Sequence, residues 1–168
     1  MKTLLIVRHA KSSWDVSNVN DFERPLSSRG KRDAPRMAKR LKEKKVFPDL
    51  MLSSPAKRAL STTKKIAKIL GYPKSSIKKD QSLYHADEET MLSVVRDLND
   101  KHTKVMIFGH NPGLTDFVNS IMTAEQQNFD NIPTCGVIAF QFETSQWNNI
   151  TWGAGKLLFF DYPKSRED

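Results

Sequence analysis

The feature that most constrains this chain is a short aliphatic run near its start that ends in an arginine and a histidine. Leu4 to Val7 is continuous and apolar, a pattern typical of a strand buried on both faces of a parallel sheet. Open α/β sheets bind ligands at the carboxyl ends of their strands. Arg8 and His9 are therefore expected at the mouth of a site, one as a fixed positive charge and the other as a nucleophile or base.

Strand and helix patterns alternate along the rest of the chain. Further strands are predicted over residues 49–53, 104–108 and 134–142, with a weak strand within 77–83 and a last one within 148–162 that pairs with its predecessor as a hairpin. Helices are predicted from residue 27 or 28 to about 45, from 55 to about 70, from 87 to 99 and from about 114 to 121. The alternation predicts an α/β fold with a mostly parallel sheet.

Two details of this pattern concern proline and the domain boundaries. Pro35 lies inside the first helix and predicts a kink or a new helical start near Asp33. No repeat or linker divides the chain, so one domain is expected over residues 1–168. The tail from Pro163 to Asp168 is expected to fray.

The charge balance allows several kinds of partner. The chain has 27 Lys and Arg against 19 Asp and Glu, a net charge of +8, which suits a nucleic acid, a membrane surface or an anionic substrate. Many of the basic residues fall in helical stretches, over residues 31–45 and 64–68, where solvated helix faces are the simple interpretation. Aromatic residues do not interleave with them as in a single-strand binding surface, so a nucleic acid partner is not expected.

Cysteine content and apolar run lengths indicate a compartment. Cys135 is the single cysteine, so no internal disulfide forms and a reducing compartment is favoured. The first apolar run is too short for a signal peptide, and no segment is long enough to cross a bilayer. A cytoplasmic location without a membrane partner is the expectation, and the sequence does not indicate an oligomeric state.

Three polar segments follow predicted parallel strands and should meet at one edge of the sheet. Arg8-His9 follows the first strand, Arg58 lies about one turn into the helix after the second, and Gly109-His110 follows the strand at 104–108. Two arginines and two histidines near helix N-termini make an anion site, and phosphate is the usual anion. Taken singly, an arginine after a strand is usually a surface residue, and His110 suits a turn or a helix cap. The hypothesis of a phosphate site rests on the joint pattern.

Other hydrolase chemistries lack their motifs. The chain has no Gly-rich loop followed by Lys and Ser or Thr, and no Gly-x-Ser-x-Gly elbow. Cys135 is followed by no arginine and is interpreted as a small buried residue in a strand. The four histidines lack metal-ligand spacing, so neither a metal nor another cofactor is expected. Catalysis by a histidine nucleophile is the remaining possibility.

At these residues the chain resembles the histidine phosphatase superfamily, which includes the phosphoglycerate mutases. Arg8-His9-Ala10 is similar to its Arg-His-Gly signature, and Lys11-Ser12-Ser13-Trp14-Asp15 continues that pattern. Arg58, within Ser-Ser-Pro-x-x-Arg-Ala, matches the second arginine, and Gly109-His110 matches the second histidine. The segment Arg24-Pro25-Leu26-Ser27-x-x-Gly30 resembles the branch of SixA-type phosphohistidine phosphatases. The likeness covers residues 1 to about 120.

The resemblance implies a fold and a mechanism. The fold would be a three-layer α/β/α sandwich of the phosphoglycerate mutase type. Neutral His9 would attack phosphorus in line and become phosphohistidine, and water would then release phosphate. Arg8, Arg58 and His110 would hold the equatorial oxygens, whose charge spreads in the transition state. The further phosphate-binding candidates are Ser12, Arg24 and Asn111.

Two departures from the family pattern bear on the substrate. Asp15 stands where many relatives carry Asn, and it must point away from a phosphate dianion or pair with an arginine. Relatives that act on alkyl phosphates carry a glutamate as general acid, but residues 83–89 offer no clean match. Asp87 and Glu88 look like helix-start residues, and His85 is a further candidate acid. Without a strong acid, the leaving group must depart easily, as the ring nitrogen of phosphohistidine does.

Three functional hypotheses follow. The leading one is a metal-independent phosphatase acting on a protein that carries phosphohistidine. The second is a phosphomonoesterase acting on a small phosphate ester, with His85, Asp87 or Glu88 as the acid. The third is a module that binds phosphorylated partners or RNA without turnover, although a nucleophile such as His9 would then be superfluous.

Overall fold

The computed structural model describes residues 1–15 and 18–167. Within these ranges the chain forms six strands and four α-helices, joined by loops and short 3-10 turns. In chain order they are β1 Lys2–Arg8, α1 Ser28–Glu43, β2 Leu50–Ser53, α2 Lys57–Leu70, β3 Lys78–Lys79, α3 Glu88–Arg96, β4 Lys104–Gly109, α4 Gly113–Ile121, β5 Val137–Phe142 and β6 Lys156–Asp161.

The strands form one sheet in the order β3-β2-β4-β1-β5-β6. Its first four strands are parallel, and β5 and β6 add an antiparallel hairpin beside β1. In the parallel pairing of β1 and β4, Arg8 lies opposite Gly109. The residues that follow these two strands, His9 and His110, are therefore neighbours at the carboxyl edge of the sheet.

Two hydrophobic cores lie on the two faces of the sheet. Alternate residues of β1 point to opposite faces, as a strand requires. Leu4 and Ile6 pack in a core with the apolar residues of α3 and α4, whereas Leu5 and Val7 pack in a second core with those of α1 and α2. The fold is therefore the three-layer α/β/α sandwich expected from the sequence.

Several details differ from the sequence-based expectations. Pro35 lies within one continuous helix, α1, so no new helix starts near Asp33. The weak strand expected within 77–83 is reduced to Lys78–Lys79. Cys135 is buried as expected, but it lies in a turn before β5 with a φ of +59°, because its amide donates to the carbonyl oxygens of Arg8 and His9. The prediction that Cys135 lies in a strand is therefore wrong.

The C-terminal segment is held down and does not fray over its described part. The buried guanidinium of Arg40 donates hydrogen bonds to the carbonyl oxygens of Tyr162, Pro163 and Arg166. It also forms an ion pair with Asp161 at 3.3 Å. Asp168 lies outside the described residues. None of the helices in residues 1–15 and 18–167 is long and apolar enough to span a membrane.

Candidate active site

A cavity of about 250 Å³ opens at the carboxyl edge of the sheet. The four residues expected to be central to the site all line it: Arg8, His9, Arg58 and His110. The structure also brings there most of the other sequence-based candidates, namely Ser12, Arg24, His85 and Asn111. Among the described residues, three arginines and Lys11 line this cavity and Asp21 is its one carboxylate, so the cavity is suited to an anion.

The ring of His9 is held in one neutral form. Its Nδ1 lies 2.7 Å from the carbonyl oxygen of Ala10, and since a carbonyl only accepts, Nδ1 carries the proton and donates it. Burial, reinforced by the positive charges of Arg58, Arg8 and Arg24, lowers the pKa of His9 from 6.5 to about 4. At neutral pH the other ring nitrogen, Nε2, therefore carries a free lone pair, as a nucleophile requires.

The loop that carries His9 is fixed by hydrogen bonds from three sides. The amide of Ala10 donates to Oγ1 of Thr62 on α2 at 3.0 Å. The carbonyl of Lys11 accepts from both the amide and the hydroxyl of Ser27, the N-cap of α1. With the amide of Cys135 on the carbonyl of His9, these contacts leave the imidazole little freedom to move.

The second histidine, His110, lies beside the first. The two ring centroids are 5.2 Å apart. Nε2 of His110 lies 2.7 Å from Oγ of Ser54, at the end of β2. Burial, together with repulsion from Arg58 and from His9 when His9 is protonated, lowers the pKa of His110 from 6.5 to about 3. Both histidines are therefore neutral at physiological pH, and neither adds charge to the site.

Three buried nitrogens of the site have no hydrogen-bond partner within the described part of the chain: Nε of Arg8, Nε of Arg58 and Nδ1 of His110. A buried polar atom without a hydrogen-bond partner is costly and rare in folded proteins. These three atoms belong to the three residues assigned to the equatorial oxygens of a phosphoryl group.

The carboxylate of Asp21 was not found by sequence analysis, yet it has the most partners in the site. It accepts from Arg58 at 2.9 Å, from the hydroxyl of Tyr84 at 2.7 Å and from Arg24 at 3.1 Å. Partial burial raises its pKa, but the hydrogen bonds from Tyr84 and Arg58 outweigh burial and lower the pKa of Asp21 well below its usual range. The one available signal was the spacing of Asp21 and Arg24, three residues apart in a short 3-10 turn.

Arg24 and Ser12 form one side of the cavity. Nη1 of Arg24 donates to Oγ of Ser12 at 2.5 Å, and its guanidinium lies 3.6 Å from the ring centroid of Trp14. The side chain of Trp14 is 75% exposed at the mouth. A nearly buried cation thus lies against an exposed aromatic ring at the mouth of the cavity.

Asn111 lines the cavity, but its amide is used by neighbouring loops. Its Nδ2 donates to the carbonyl of Ile132 at 3.0 Å, and its Oδ1 accepts from the amide and hydroxyl of Thr115. Since Arg8 also donates to the carbonyl of Ile132 at 2.9 Å, Asn111 supports the wall that positions Arg8. Its role as a phosphate ligand stays a prediction.

The structure separates the three acid candidates. His85 lines the cavity, with Nε2 at 3.6 Å from Asp21 and its ring stacked on Tyr84 at 3.9 Å between centroids. Asp87 instead caps α3 by accepting from the amide of Thr90, and Glu88 accepts from the hydroxyl of Ser120. His85 alone of the three lies beside the two buried histidines, and its catalytic role stays a prediction.

Two further expectations concern Asp15 and metal ions. Asp15 is exposed and does not line the cavity, and its amide donates to Oγ of Ser13. A negative charge at this position is therefore outside the anion site. Among the residues that the structure describes, no group of three or more His, Cys, Asp or Glu side chains is placed to hold a metal ion.

Comparison with known sequences finds one family and several relatives. The family model described as "Histidine phosphatase superfamily (branch 1)" matches residues 4–91. An uncharacterized chloroplastic protein of Arabidopsis thaliana is 29% identical over 154 residues, which cover 87% of this chain and 69% of that protein. Phosphoglycerate mutase 1 of Saccharomyces cerevisiae is 39% identical over 64 residues, which cover 37% of this chain and only 26% of the mutase.

Comparison with solved structures agrees with the sequence matches. A candidate phosphohistidine phosphatase SixA from Agrobacterium tumefaciens superposes with a TM-score of 0.80 at 26% identity, covering 96% of this chain and 98% of that one. The protein histidine phosphatase SixA complexed with tungstate superposes with a TM-score of 0.81 at 23% identity, covering 96% and 97%. With a family match over more than half of its length, the chain belongs to the histidine phosphatase superfamily.

Proposed function

We propose that this protein is a phosphatase with a histidine nucleophile and that its substrate is a protein carrying phosphohistidine. Family membership supports phosphatase activity in general. In the first step, the lone pair on Nε2 of His9 attacks phosphorus, and the bond from phosphorus to the leaving nitrogen breaks. In the second step, water attacks the phosphohistidine at His9, and the enzyme is restored with release of inorganic phosphate.

One observation carries the proposal: a neutral nucleophile with a fixed tautomer faces a cavity whose other three central residues each have a buried nitrogen without a partner in the described chain. The hydrogen bond from His9 to Ala10 and a pKa of about 4 keep Nε2 free of protons. The unpartnered nitrogens of Arg8, Arg58 and His110 would each meet an equatorial oxygen. Donors that are already in place when charge develops are the largest source of stabilisation in phosphoryl transfer.

The proposed substrate class rests on the contacts of the candidate acids, which would have to protonate the leaving group. Asp87 caps α3 and Glu88 accepts from Ser120, and these contacts favour a substrate that needs no proton from either carboxyl group. A ring nitrogen is protonated by solvent and then departs readily, whereas an alkoxide needs a positioned acid. Similarity to a candidate phosphohistidine phosphatase at 26% identity also favours this class.

The test is turnover by His9→Ala on a phosphohistidine peptide, with EDTA present in every assay. Wild type should release phosphate with EDTA present, and His9→Ala should lose activity by a factor of about 10⁴ or more while its circular dichroism stays native. Residual activity within a few-fold of wild type would disprove the nucleophile. Trapping of ³²P on wild type, but not on His9→Ala, would identify the covalent intermediate.

A second candidate function has one observation in its favour. His85 lines the cavity and lies 3.6 Å from the carboxylate of Asp21, an arrangement that would suit a proton donor to an alkyl leaving group. In that case the protein would be a phosphomonoesterase acting on small esters. If the protein is a phosphomonoesterase, His85→Gln should lower kcat on an alkyl phosphate by about 100-fold. If only the first proposal holds, the same variant should leave the rate on a phosphohistidine peptide nearly unchanged.

A further inference from the structure

The two helical layers of the molecule carry opposite charge. Helices α1 and α2 together contain twelve basic residues (Lys and Arg) and two acidic residues (Asp and Glu). Helices α3 and α4 together contain one basic residue and three acidic residues. The two layers lie on opposite faces of the sheet, each with its own core. The net charge of +8 is thus concentrated on one face and is not spread evenly over the surface.

The basic residues of the α1–α2 layer form stripes that begin beside the active site. On α2, Lys57, Lys64 and Lys68 are exposed and recur at intervals of seven and four residues, which places them on one helix face about 16 Å long. Lys57 immediately precedes Arg58, whose guanidinium lies in the cavity. The stripe therefore leads away from the mouth of the site.

Helix α1 adds a parallel set of charges. Lys31, Arg32, Lys39 and Lys42 are exposed and fall within an arc of about 100° of the helix. The N-terminus of α1 also starts at the site, since its N-cap, Ser27, donates to the carbonyl of Lys11 in the wall of the cavity. The two helices pack side by side, so both sets of charges belong to one surface.

These side chains are not neutralised within the protein. The ion pairs on α1 join Arg29 and Arg36 to Asp33, Arg40 to Asp161, and Glu43 to Arg166. In the part of the chain that the structure describes, none of the exposed lysines of α1 and α2 forms an ion pair with a carboxylate. Their mutual repulsion is therefore relieved only by solvent ions or by an anionic partner.

We infer that the α1–α2 surface, defined by Lys31, Arg32, Lys39, Lys42, Lys57, Lys64 and Lys68, docks an acidic segment of the phosphoprotein substrate. This inference rests on the proposed function and concerns the part of the substrate beyond its phosphohistidine. An acidic segment fits one side of the cavity and is repelled by the opposite side, where Asp87, Glu89 and Asp116 are exposed. Charge complementarity thus sets the orientation of the substrate across the site.

An acidic protein fits this surface better than a nucleic acid does. The exposed positions of α1 and α2 carry no aromatic side chains on which bases could stack. The cavity of about 250 Å³ is smaller than the usual range for drug-sized ligands, so it suits a phosphoryl group better than a nucleotide with its neighbours. The binding of a flexible acidic arm needs neither stacking nor a groove.

The test uses two phosphohistidine peptides that differ in one arm, of glutamates or of glutamines. At about 20 mM salt, wild type should hydrolyse the glutamate-arm peptide with a kcat/KM about tenfold higher, and the ratio should fall toward one at about 0.5 M salt. The triple variant K57Q/K64Q/K68Q should lose the preference and keep the rate on the glutamine-arm peptide. An equal rate of wild type on both peptides would overturn the docking surface and leave the phosphatase intact.

A matched control removes the same number of charges elsewhere. Lys101, Lys104 and Lys156 lie at the opposite edge of the sheet, around the starts of β4 and β6. K101Q/K104Q/K156Q should keep the tenfold preference, because its net charge changes equally but the surface does not. Loss of the preference in this control would show that only total charge matters, and would overturn the inference.

Binding measurements separate the docking surface from the catalytic proposal and from other occupants. A fluorescent glutamate-arm peptide without phosphate should bind wild type more tightly than the triple variant, even if neither peptide is hydrolysed. If oligouridylate of equal charge binds this surface more tightly at about 0.15 M salt, the partner is a nucleic acid. If wild type self-associates in sedimentation and the triple variant does not, the occupant is the acidic layer of a second copy. Either result would overturn the inference.

Discussion

Two regions of this protein each contain a buried arginine, and they differ in the hydrogen-bond acceptors around its guanidinium group. Arg40 is 2% exposed and binds the C-terminal segment. Its terminal nitrogens donate hydrogen bonds to the carbonyls of Tyr162, Pro163 and Arg166 and form an ion pair with Asp161. Arg58 is 3% exposed and directs both terminal nitrogens to Asp21, while its Nε has no partner among the described residues.

The difference separates a structural cation from a functional one. The acceptors around Arg40 belong to the fold and need nothing from outside, so that arginine fixes a chain segment. Arg58 retains an unused buried donor, an arrangement that costs stability unless a ligand completes it. Both residues occur in lysine- and arginine-rich helical sequence, so only the partners distinguish them.

Of the changes that contrast the two arginines, the largest expected effect is on catalysis at Arg58. Arg58→Ala should lower kcat/KM on a phosphohistidine peptide by about 1,000-fold, because it removes a donor to the charge that develops on the phosphoryl oxygens. The unfolding midpoint in urea should change little by comparison. A loss of less than tenfold would remove Arg58 from the set of residues that stabilise the transition state.

The corresponding change in the other region should affect stability. Arg40→Met should lower the free energy of unfolding by about 3 kcal/mol, because several buried carbonyls and the Asp161 carboxylate lose their donor. Urea denaturation measures this loss. At low temperature, where the variant stays folded, kcat/KM should remain within twofold of wild type; a large loss of activity would erase the contrast with Arg58.

A third prediction concerns pH and the neutral state of His9. Its pKa is about 4 in the folded protein and about 6.5 in the unfolded chain. The unfolded state binds the proton first as the pH falls, so the contribution of His9 to stability is complete above pH 6.5 and is lost as the pH falls toward 4. Between pH 7 and 4 the loss amounts to about 3 kcal/mol.

The measurement compares wild type with His9→Asn by denaturant unfolding across this range. The difference between the two free energies of unfolding should change by about 3 kcal/mol from pH 7 to pH 4. A constant difference would mean that His9 titrates normally in the folded protein. The argument for a permanently neutral nucleophile would then fail.

The smallest effect is expected for Asp21. With His9 and His110 neutral, the described lining carries the positive charges of three arginines and Lys11 against the negative charge of Asp21. Asp21→Asn should therefore bind tungstate, a phosphate analogue, about tenfold more tightly, since the competing carboxylate is gone while an acceptor oxygen remains. Calorimetric titration measures the Kd. Weaker binding would mean instead that Asp21 acts mainly by aligning Arg58 and Arg24.

The sequence predicted the parts of the molecule that local patterns determine. The aliphatic runs of β1 and β4 located His9 and His110, because a parallel sheet brings both strand ends to one edge. The carboxylate of Asp21 could not be found in this way: it meets Tyr84 across 63 residues of sequence, through a 3-10 turn and a loop that carry no periodicity.

The same limit applies to the C-terminal region and to Cys135. The contacts of Arg40 with the tail span more than 120 residues, and nothing in the composition of either segment indicates that they meet. At the turn of Cys135, the amide donates to the carbonyls of Arg8, the last residue of β1, and of His9, which follows it. Long-range contacts that involve an irregular segment on at least one side leave no signature in a single sequence.

Two glycines fix the width of the active-site cleft without contacting a substrate. A Cβ on Gly30 would overlap the carbonyl oxygen of Lys11, and a Cβ on Gly113 would overlap the carbonyl oxygen of Ala86. The first turn of α1 therefore packs directly against the backbone of Lys11, and the first residue of α4 packs against the backbone of Ala86, next to His85. In a scan of all substitutions, both glycines should be as intolerant as the catalytic residues, for reasons of spacing alone. Any redesign that widens the cleft for a larger leaving group must begin at these two positions.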